Sequence, residues 1–215
     1  MNPFANIPPI GLILFSLFVF SLGNCLAQKD STKLAYVAPS IGLYLINEPS
    51  FKDVYRSNFV PKASLALAVP ITKRFFLKGS FSHMRKNGIP VIYTYDSNFN
   101  VIDSRREGKS SFATNIINLG GELRVMSLSK ISCSLEGGFS VFKGREEQYY
   151  ADGSDLSSSQ FAGLMAFYGG VEIDYKINTW AVFFNPTYSH SRENLATIDA
   201  SYGGFSLQSG VKFFF

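Results

Sequence analysis

Alternation of apolar and polar residues along nearly the whole chain beyond Leu34 is the feature that most limits its fold. Between Ala113 and Val125 the odd positions are mainly apolar, whereas the even positions include Glu122 and Arg124. A period of two predicts β-strands, because successive side chains of a strand point to opposite faces. The predicted strands are eight in all: Ala35–Leu45, Lys62–Ile71, Phe75–Met84, Ala113–Val125, Ile131–Phe142, Phe161–Tyr175, Trp180–Ser189 and Ser201–Phe215.

The lengths of these strands and of their connections favour a membrane barrel. About 10 to 15 residues per strand exceeds the roughly 5 to 6 of soluble sheets and suits a tilted strand crossing a bilayer. Short links alternate with long polar ones, including Asn47–Asn58, Asn87–Lys109, Gly144–Ser159 and His190–Ala200. Short turns at one end and long loops at the other are typical of outer-membrane barrels. The sequence therefore predicts an eight-stranded antiparallel up-and-down transmembrane β-barrel over residues 34–215, with both termini on the periplasmic side.

Two details of this assignment concern the backbone. Pro39 and Pro186 fall inside predicted strands, where each removes a ladder hydrogen bond that a bulge could absorb. The longest loop contains its own hairpin signal, in which "VIYTYD" and "VIDSR" flank the turn-like "SNFN". We expect this hairpin to continue the third and fourth strands above the membrane, where its aromatic residues could bind a partner.

The charged residues of the strands share the polar face. In a soluble sandwich this face would meet water and the apolar faces would meet each other. The polar faces are rich in Gly, Ser and Ala, however, which suits a narrow lumen better than a solvated surface. We therefore expect a lumen network in which opposite charges neutralise each other, made of Lys78, Glu122, Arg124, Glu136, Glu172, Asp174 and Lys212.

The first 27 residues are predicted to be a secretory signal peptide. The apolar run Ile10–Gly23 precedes "NCLAQKD", in which Cys25 and Ala27 occupy the small-residue positions before a cut after Ala27. The alternatives are an uncleaved anchor helix and a lipid attached to Cys25. Residues 28–33 form a short segment before the barrel. Cleavage would leave Cys133 as the only cysteine, so no intramolecular disulfide is expected.

The sequence of the last strand carries the clearest resemblance to a known family. The ending "GFSLQSGVKFFF" resembles the C-terminal signal of outer-membrane barrels, and that resemblance implies that the barrel-assembly machinery reads it. Together with the signal peptide and the eight strands, it makes the chain similar to the small OmpA- and OmpX-like barrels, and to the PorT-type barrel domain in particular. The residues of this predicted assembly signal are Phe205, Leu207, Val211, Phe213 and Phe215.

Composition and the few reactive side chains narrow the function. A net charge of +4, with acidic and basic residues interleaved, shows no nucleic-acid footprint. Two histidines without suitable neighbours predict no metal site, and no cofactor is expected. An eight-stranded barrel is only wide enough for its own side chains, so a general pore is not expected. "YSHSREN" offers His190, Ser191 and Glu193 for a lipid A-modifying enzyme, but adjacent strand residues diverge.

We therefore predict a non-enzymatic outer-membrane protein with a role in envelope integrity or surface interaction. Its expected partners are outer-membrane lipid and lipopolysaccharide, the assembly machinery, and a protein at the extracellular loops. The PorT resemblance implies an alternative, an accessory of a protein-secretion apparatus, and a lipid-modifying enzyme is the third hypothesis.

Overall fold

The computed structural model describes residues 34–48, 50–191 and 203–215, and these residues form ten strands and one short helix. The predicted signal peptide, residues 1–27, and the segment 28–33 lie outside the described residues. In chain order the elements are β1 (Tyr36–Ile46), α1 (Phe51–Tyr55), β2 (Phe59–Pro70), β3 (Phe75–Gly88), β4 (Val91–Tyr95), β5 (Val101–Arg106), β6 (Lys109–Ser127), β7 (Ile131–Tyr149), β8 (Asp155–Ile177), β9 (Trp180–Ser191) and β10 (Gly204–Phe214).

Eight of these strands close into one antiparallel barrel in the order β1, β10, β9, β8, β7, β6, β3 and β2. Each strand pairs with its neighbours in the chain, apart from β4 and β5, which form a separate two-stranded sheet. The closing pair joins β1 to β10, with Tyr36 opposite Phe214 and Ile46 opposite Gly204. The predicted eight-stranded antiparallel up-and-down barrel fold is therefore confirmed.

The two faces of the wall differ as the period of two predicts. On β6, Ile117, Leu119 and Leu123 are 45% to 57% exposed on the outside, whereas Ile116 and Glu122 are buried inside. The outward apolar positions of β6 run from Ile117 to Val125, about 27 Å along the strand. A tilt of about 40° reduces this to about 20 Å, close to the roughly 25 Å apolar band of membrane barrels. We call this band the apolar belt.

The barrel has two unlike ends. At the short-turn end, β2 meets β3, β6 meets β7 and β8 meets β9 through turns of two to four residues, and this end also holds Tyr36 of β1 and Phe214 of β10. Aromatic side chains surround it on the outside: Phe75, Tyr175, Trp180, Phe213 and Phe215. The opposite end, which we call the long-loop end, carries α1, the β4–β5 hairpin and the tips of β7 and β8.

Both prolines lie in interruptions of the ladder, and neither requires a bulge. Pairing between β1 and β10 passes over Ala38 and Pro39 and resumes at Ser40 opposite Gly210 in the same register. Pairing between β8 and β9 likewise passes over Pro186 and resumes at Ile173 opposite Phe184 in an unchanged register. The missing proline N–H groups thus cost local hydrogen bonds without shifting the strands.

Three strands are longer than the sequence indicates. β6 and β7 have 19 residues each, and β8 has 23. The prediction of a long polar link over Gly144–Ser159 is therefore wrong, because β7 and β8 stay paired up to Tyr149 and Asp155. Apart from Tyr149 and Leu156, the residues of this extension are polar on both faces, so they lack the alternation on which the prediction depends.

The hairpin within Asn87–Lys109 exists and follows β3 and β6, as a separate two-stranded sheet. The β3–β6 ladder ends with Gly88 opposite Ser110, and the hairpin ladder begins with Val91 opposite Arg106. The ladder is interrupted at Ile89, whose backbone N–H donates to the carbonyl of Val54. Pro90 follows and has no N–H to extend the ladder.

Helix α1, which the sequence analysis did not predict, closes the long-loop end of the lumen. Phe51 and Tyr55 stack at 4.3 Å between ring centroids, and Phe51 meets the ring of Phe112 edge-on at 5.1 Å. The Tyr55 hydroxyl lies 2.8 Å from Ser110 Oγ and donates to Glu146 Oε1 at 2.9 Å. These rings join a buried apolar cluster, which we call the outer plug: Tyr44, Ile46, Phe51, Tyr55, Val60, Met84, Phe112, Ile116, Phe142, Leu164 and Ala166.

A charge placed on the apolar belt tests this assignment of faces. We expect Leu119→Arg to lower the free energy of unfolding by about 2–4 kcal/mol, since an arginine at mid-membrane faces hydrocarbon. The control Ser111→Arg lies on the same outward face beyond the belt and should change it by about 0.5 kcal/mol or less. Guanidinium unfolding from lipid vesicles measures both, and equal effects would contradict the assignment.

Candidate functional site

Six of the seven predicted lumen charges come together near the short-turn end. They are contributed by β3, β6, β7, β8 and β10, because these strands all turn the same face inward at that level. Glu122, Glu172 and Lys212 are at most 1% exposed. We call this group the lumen charge cluster: Lys78, Glu122, Glu136, Glu172, Asp174 and Lys212.

Lys78 joins carboxylates from three strands. Its Nζ lies 2.6 Å from Glu136 Oε2, 2.9 Å from Glu172 Oε2 and 3.8 Å from Glu122 Oε2. A buried ammonium group is stable only when it is paired and hydrogen-bonded, and three carboxylates meet that need here. The contacts tie β3 to β6, β7 and β8 across the lumen.

Lys212 forms the second centre of the cluster. Its Nζ donates to Glu172 Oε1, and it lies 2.9 Å from Asp174 Oδ1 and 3.7 Å from Glu122 Oε1. The same Nζ lies 4.4 Å from the centre of the Tyr36 ring, where the negative face of the ring attracts it. The Tyr36 hydroxyl in turn donates to Glu122 Oε2. The cluster therefore includes an aromatic residue of β1, the strand that closes the barrel.

Arg124 stands apart from the other six. Its guanidinium carbon lies 5.0 Å from the centre of the Phe76 ring, and among the described residues it forms no ion pair. Four carboxylates thus face two ammonium groups within the cluster. Lys62 adds a further lumen cation, placed away from the cluster with its Nζ 5.7 Å from the Tyr44 ring centre.

Polar side chains fill the middle of the lumen. Ser64 Oγ donates to Gln208 Oε1 at 2.7 Å, and Ser140 Oγ donates to Asn118 Oδ1 at 2.7 Å. The space left among these groups and the cluster is a cavity of about 30 Å³, enough for one or two water molecules. With the outer plug above it, this lumen offers little room for a diffusing solute.

The geometry of the cluster argues against a cation site. Carboxylate oxygens of Glu122, Glu172 and Asp174 lie within 4.8 Å of one another, which is the donor set that a hard cation would take. However, Lys78 and Lys212 contact the same carboxylates. Their ammonium groups already supply positive charge there and would repel a metal ion.

The histidine motifs do not assemble a catalytic group within the described part of the chain. His190 is exposed on the outer face of β9, opposite Phe167 of β8. Glu193 and the side chain of Ser191 lie outside the described residues. His83 is also exposed, and its Nδ1 lies 2.9 Å from Asn115 Oδ1 on the neighbouring strand.

Among the described residues of the long-loop end, the β4–β5 hairpin is the most exposed apolar feature. Tyr93, Tyr95, Phe99 and Val101 are between 45% and 87% exposed, with Phe99 the most exposed of them. Phe99 has a φ of 61°, a left-handed conformation that is unusual for a bulky residue. The Asp96 carboxylate accepts from the backbone N–H groups of Asn98 at 2.8 Å and Asn100 at 2.9 Å, and so fixes this turn.

The predicted assembly residues of β10 lie on the outer wall. Phe205, Leu207, Phe213 and Phe215 are 39% to 50% exposed, and Val211 is half-buried on the same face. Phe214 points the other way and packs on Tyr36 at 5.9 Å between ring centroids. This arrangement is what an outward apolar stripe requires, and its use as an assembly signal stays a prediction.

Comparison with solved structures identifies the fold. Neisserial surface protein A has a TM-score of 0.58 and 11% identity, over 84% of this chain and 97% of that one. Ail of Yersinia pestis has a TM-score of 0.49 and 13% identity, and the N-terminal β-barrel domain of Pseudomonas aeruginosa OprF has 0.44 and 9%, both with the same coverage. No protein-family model and no curated protein matches the chain. The predicted resemblance to small outer-membrane barrels is confirmed at the level of the fold, and the PorT resemblance stays a prediction.

Removing one ammonium group tests the lumen charge cluster. We expect Lys212→Met to lower the free energy of unfolding by about 3–5 kcal/mol, because it leaves buried carboxylates without their partner. Adding Asp174→Asn should recover part of the loss by removing one of those charges. The exposed control Lys52→Met should change stability by about 0.5 kcal/mol or less. Equal stabilities of Lys212→Met and Lys52→Met would show that the cluster contributes nothing.

The hairpin turn should depend on pH. Hydrogen bonds from the backbone and side chain of Asn100, and then from the backbone of Asn98, lower the pKa of the Asp96 carboxyl. A lowered pKa in the folded state means that the turn is stabilised above the usual aspartate range and loses this support as the pH falls through the lowered value. The amide resonances of Asn98 and Asn100 should therefore shift on acidification. Asp96→Asn should abolish that response, and an unchanged response would contradict the assignment.

Proposed function

We propose that the protein is a non-enzymatic outer-membrane barrel that acts in envelope integrity or in surface interaction through its long-loop end. The observation that carries this proposal is the contrast between the two regions of the barrel: side chains occupy the lumen, whereas the long-loop end bears extended strands and an exposed hairpin. In the part of the lumen that the structure describes, charged and polar side chains line a cavity of about 30 Å³, and the outer plug lies above it. This lumen is therefore not suited to the transport of solutes.

The elaborated end supports a role at the surface. Beyond the apolar belt, β6 and β7 continue from Asn115 and Lys143 to Lys109 and Tyr149, about 20 Å along the strands. Their outward side chains there include Lys143, Arg145 and Glu147. The β4–β5 hairpin adds exposed aromatic residues that contribute nothing to barrel closure, and a polar platform with a rigid aromatic tip is suited to contact with another molecule.

The location and partners form part of this proposal. Outer-membrane lipid would surround the apolar belt, and lipopolysaccharide would meet the outward polar residues of β6 and β7. The barrel-assembly machinery would read the outward stripe of β10. Both chain termini would lie in the periplasm, because the described ends of the barrel meet at the short-turn end.

A second candidate function is an accessory of a protein-secretion apparatus, as the PorT resemblance implies. The exposed hairpin favours it, since a two-stranded ribbon with open edges can pair with a strand of another protein. A lipid-modifying enzyme has less support. His190 lies on the outer wall, and no described nucleophile lies beside it.

Deletion of the hairpin distinguishes a role in envelope integrity from a role in surface interaction or secretion. We expect a variant with residues 92–105 deleted to fold like the wild type, because β4 and β5 pair only with each other. In a strain without the chromosomal gene, this variant should restore resistance to detergents and large antibiotics if the role is envelope integrity. If the role is surface interaction or secretion, it should fail to restore adhesion or secretion. A deletion strain with none of these defects would contradict the proposal.

Site-specific labelling tests the orientation. In a Cys133→Ser background, Asp152→Cys at the long-loop end should react with a membrane-impermeant maleimide on intact cells. Lys130→Cys at the short-turn end should react only after the outer membrane is permeabilised. Both positions are exposed, so access to reagent alone decides the outcome. The reverse pattern would place the short-turn end outside.

A further inference from the structure

The three short turns carry an unusual distribution of charge. The turns and the adjoining end of β8 expose four cations, Lys73, Arg74 and Lys130 in the turns and Lys176 one residue before the end of β8, and residues 71–74, 128–130 and 176–179 contain no aspartate or glutamate. We call these four residues the cationic rim. The long-loop end carries charges of both signs. Its acidic residues, which are interspersed with basic ones, include Glu48, Asp53, Asp96, Asp103, Glu107 and Asp152. Positive charge at the short-turn end is thus not an average property of the surface.

The rim is continuous along one side of the barrel. The turns join six strands that are neighbours in the wall, β2, β3, β6, β7, β8 and β9. Backbone hydrogen bonds connect them at this level, from Arg124 N–H to Arg74 O at 2.7 Å and from Lys176 N–H to Lys130 O at 2.7 Å. The backbones of Lys130 and Lys176 are therefore side by side, as are those of Arg74 and Arg124, whereas the Arg124 side chain packs on Phe76 and is not part of the rim.

The turns hold these cations at a fixed depth. Thr72 Oγ1 accepts from the backbone N–H groups of Arg74 at 3.2 Å and Phe75 at 3.0 Å, which closes the first turn. Leu128 N–H donates to Ile131 O at 2.8 Å in the second. Such short turns cannot carry the charges far from the wall, so the cations stay within the reach of a lysine or arginine side chain from the apolar belt.

The outer wall beside the rim is aromatic. Phe75 directly follows Arg74, and both its ring and that of Tyr175 are exposed on the outer face. Lys176 follows Tyr175 in β8 and is exposed on the opposite face of the strand, at the mouth of the lumen. Aromatic side chains of membrane barrels concentrate where the hydrocarbon meets the headgroups. Cations beside them lie at the depth of lipid phosphates, where each Lys or Arg gains electrostatic attraction to an anionic surface.

We propose that the cationic rim binds the phosphates of anionic glycerophospholipids in the leaflet at the short-turn end. This inference rests on the proposed membrane location. The acidic side chains at this end are in the lumen charge cluster, where Lys78 and Lys212 contact them, so they do not oppose a phosphate outside. The rim residues form no ion pair with any other residue that the structure describes, which leaves their charges available.

Lipid association in vesicles tests the proposal. The wild-type protein is reconstituted in phosphatidylcholine vesicles, and association is compared for spin-labelled phosphatidylglycerol and spin-labelled phosphatidylcholine. We expect a preference for phosphatidylglycerol of about two- to fivefold at low salt. At 1 M salt the preference should fall towards one, because the Debye length is then only about 3 Å.

Matched variants locate the effect. The rim variant Lys73→Gln, Arg74→Gln, Lys130→Gln and Lys176→Gln should lose most of the preference. A control with the same charge change at the other end, Arg85→Gln, Arg105→Gln, Arg106→Gln and Lys109→Gln, should keep most of it. The exchange Lys73→Arg, Arg74→Lys, Lys130→Arg and Lys176→Arg preserves charge and should behave as the wild type. If the fourfold rim variant does not fold, Lys130→Gln with Lys176→Gln replaces it.

The outcomes separate this inference from the proposed function. A preference that survives in the rim variant, or that both variants lose equally, overturns the proposal. If the preference survives, an acidic protein is the remaining candidate partner of the rim. A wild-type protein that inserts into vesicles but shows no preference also overturns it, while leaving the membrane barrel intact. Failure of the wild type to insert at all would instead overturn the proposed membrane location, and the inference with it.

Discussion

The closing pair of β1 and β10 is the constraint on which the rest of this molecule depends. In hydrocarbon each backbone N–H and C=O must find its partner within the protein, because no water is present to replace it. An open sheet would leave two unpaired edges in the bilayer, whereas the β1–β10 ladder removes both. Pro39 lies in that ladder, and pairing resumes beyond it in the same register. Closure therefore tolerates a lost hydrogen bond more easily than a shifted strand.

Closure with eight strands fixes a narrow lumen, and the narrow lumen determines what can fill it. Charged side chains that point inward are removed from water, so each must find an opposite charge nearby. Lys78 and Lys212 do so by sharing carboxylates from different strands, and Tyr36 connects β1 to them. Space is limiting as well: a Cβ on Gly120 would clash with the backbone carbonyl of Gly137 and would lie 2.7 Å from the Tyr168 hydroxyl. The glycine therefore permits the close approach of β7 and leaves room for the Tyr168 side chain.

What could be predicted from the sequence follows from these two constraints. Alternation identifies inward and outward positions wherever one face meets lipid, so Glu122 and Leu119 could both be assigned correctly. Beyond the belt both faces of β7 and β8 are polar, alternation disappears, and the strand ends could not be found. Helix α1 of the outer plug could not be predicted either, because its five residues are too few to show a helical period. Arg124 shows a third limit: alternation predicts which face of the strand a side chain is on, but it does not predict which residues that side chain contacts.

The two ends of the barrel meet different physical demands, and this difference supports the function proposed for the long-loop end. Few positions near the short-turn end can change without loss of stability. Ion pairs are buried there, aromatic residues surround the outer wall, and the turns are tight. At the long-loop end, the β4–β5 hairpin contributes no strand to closure, yet its turn holds Phe99 in a left-handed conformation through the Asp96 carboxylate. Strain of this kind persists only where the surrounding contacts impose it. The Asp96 hydrogen bonds impose it here, and the rigid exposed ring that results supports the proposed role in surface contact.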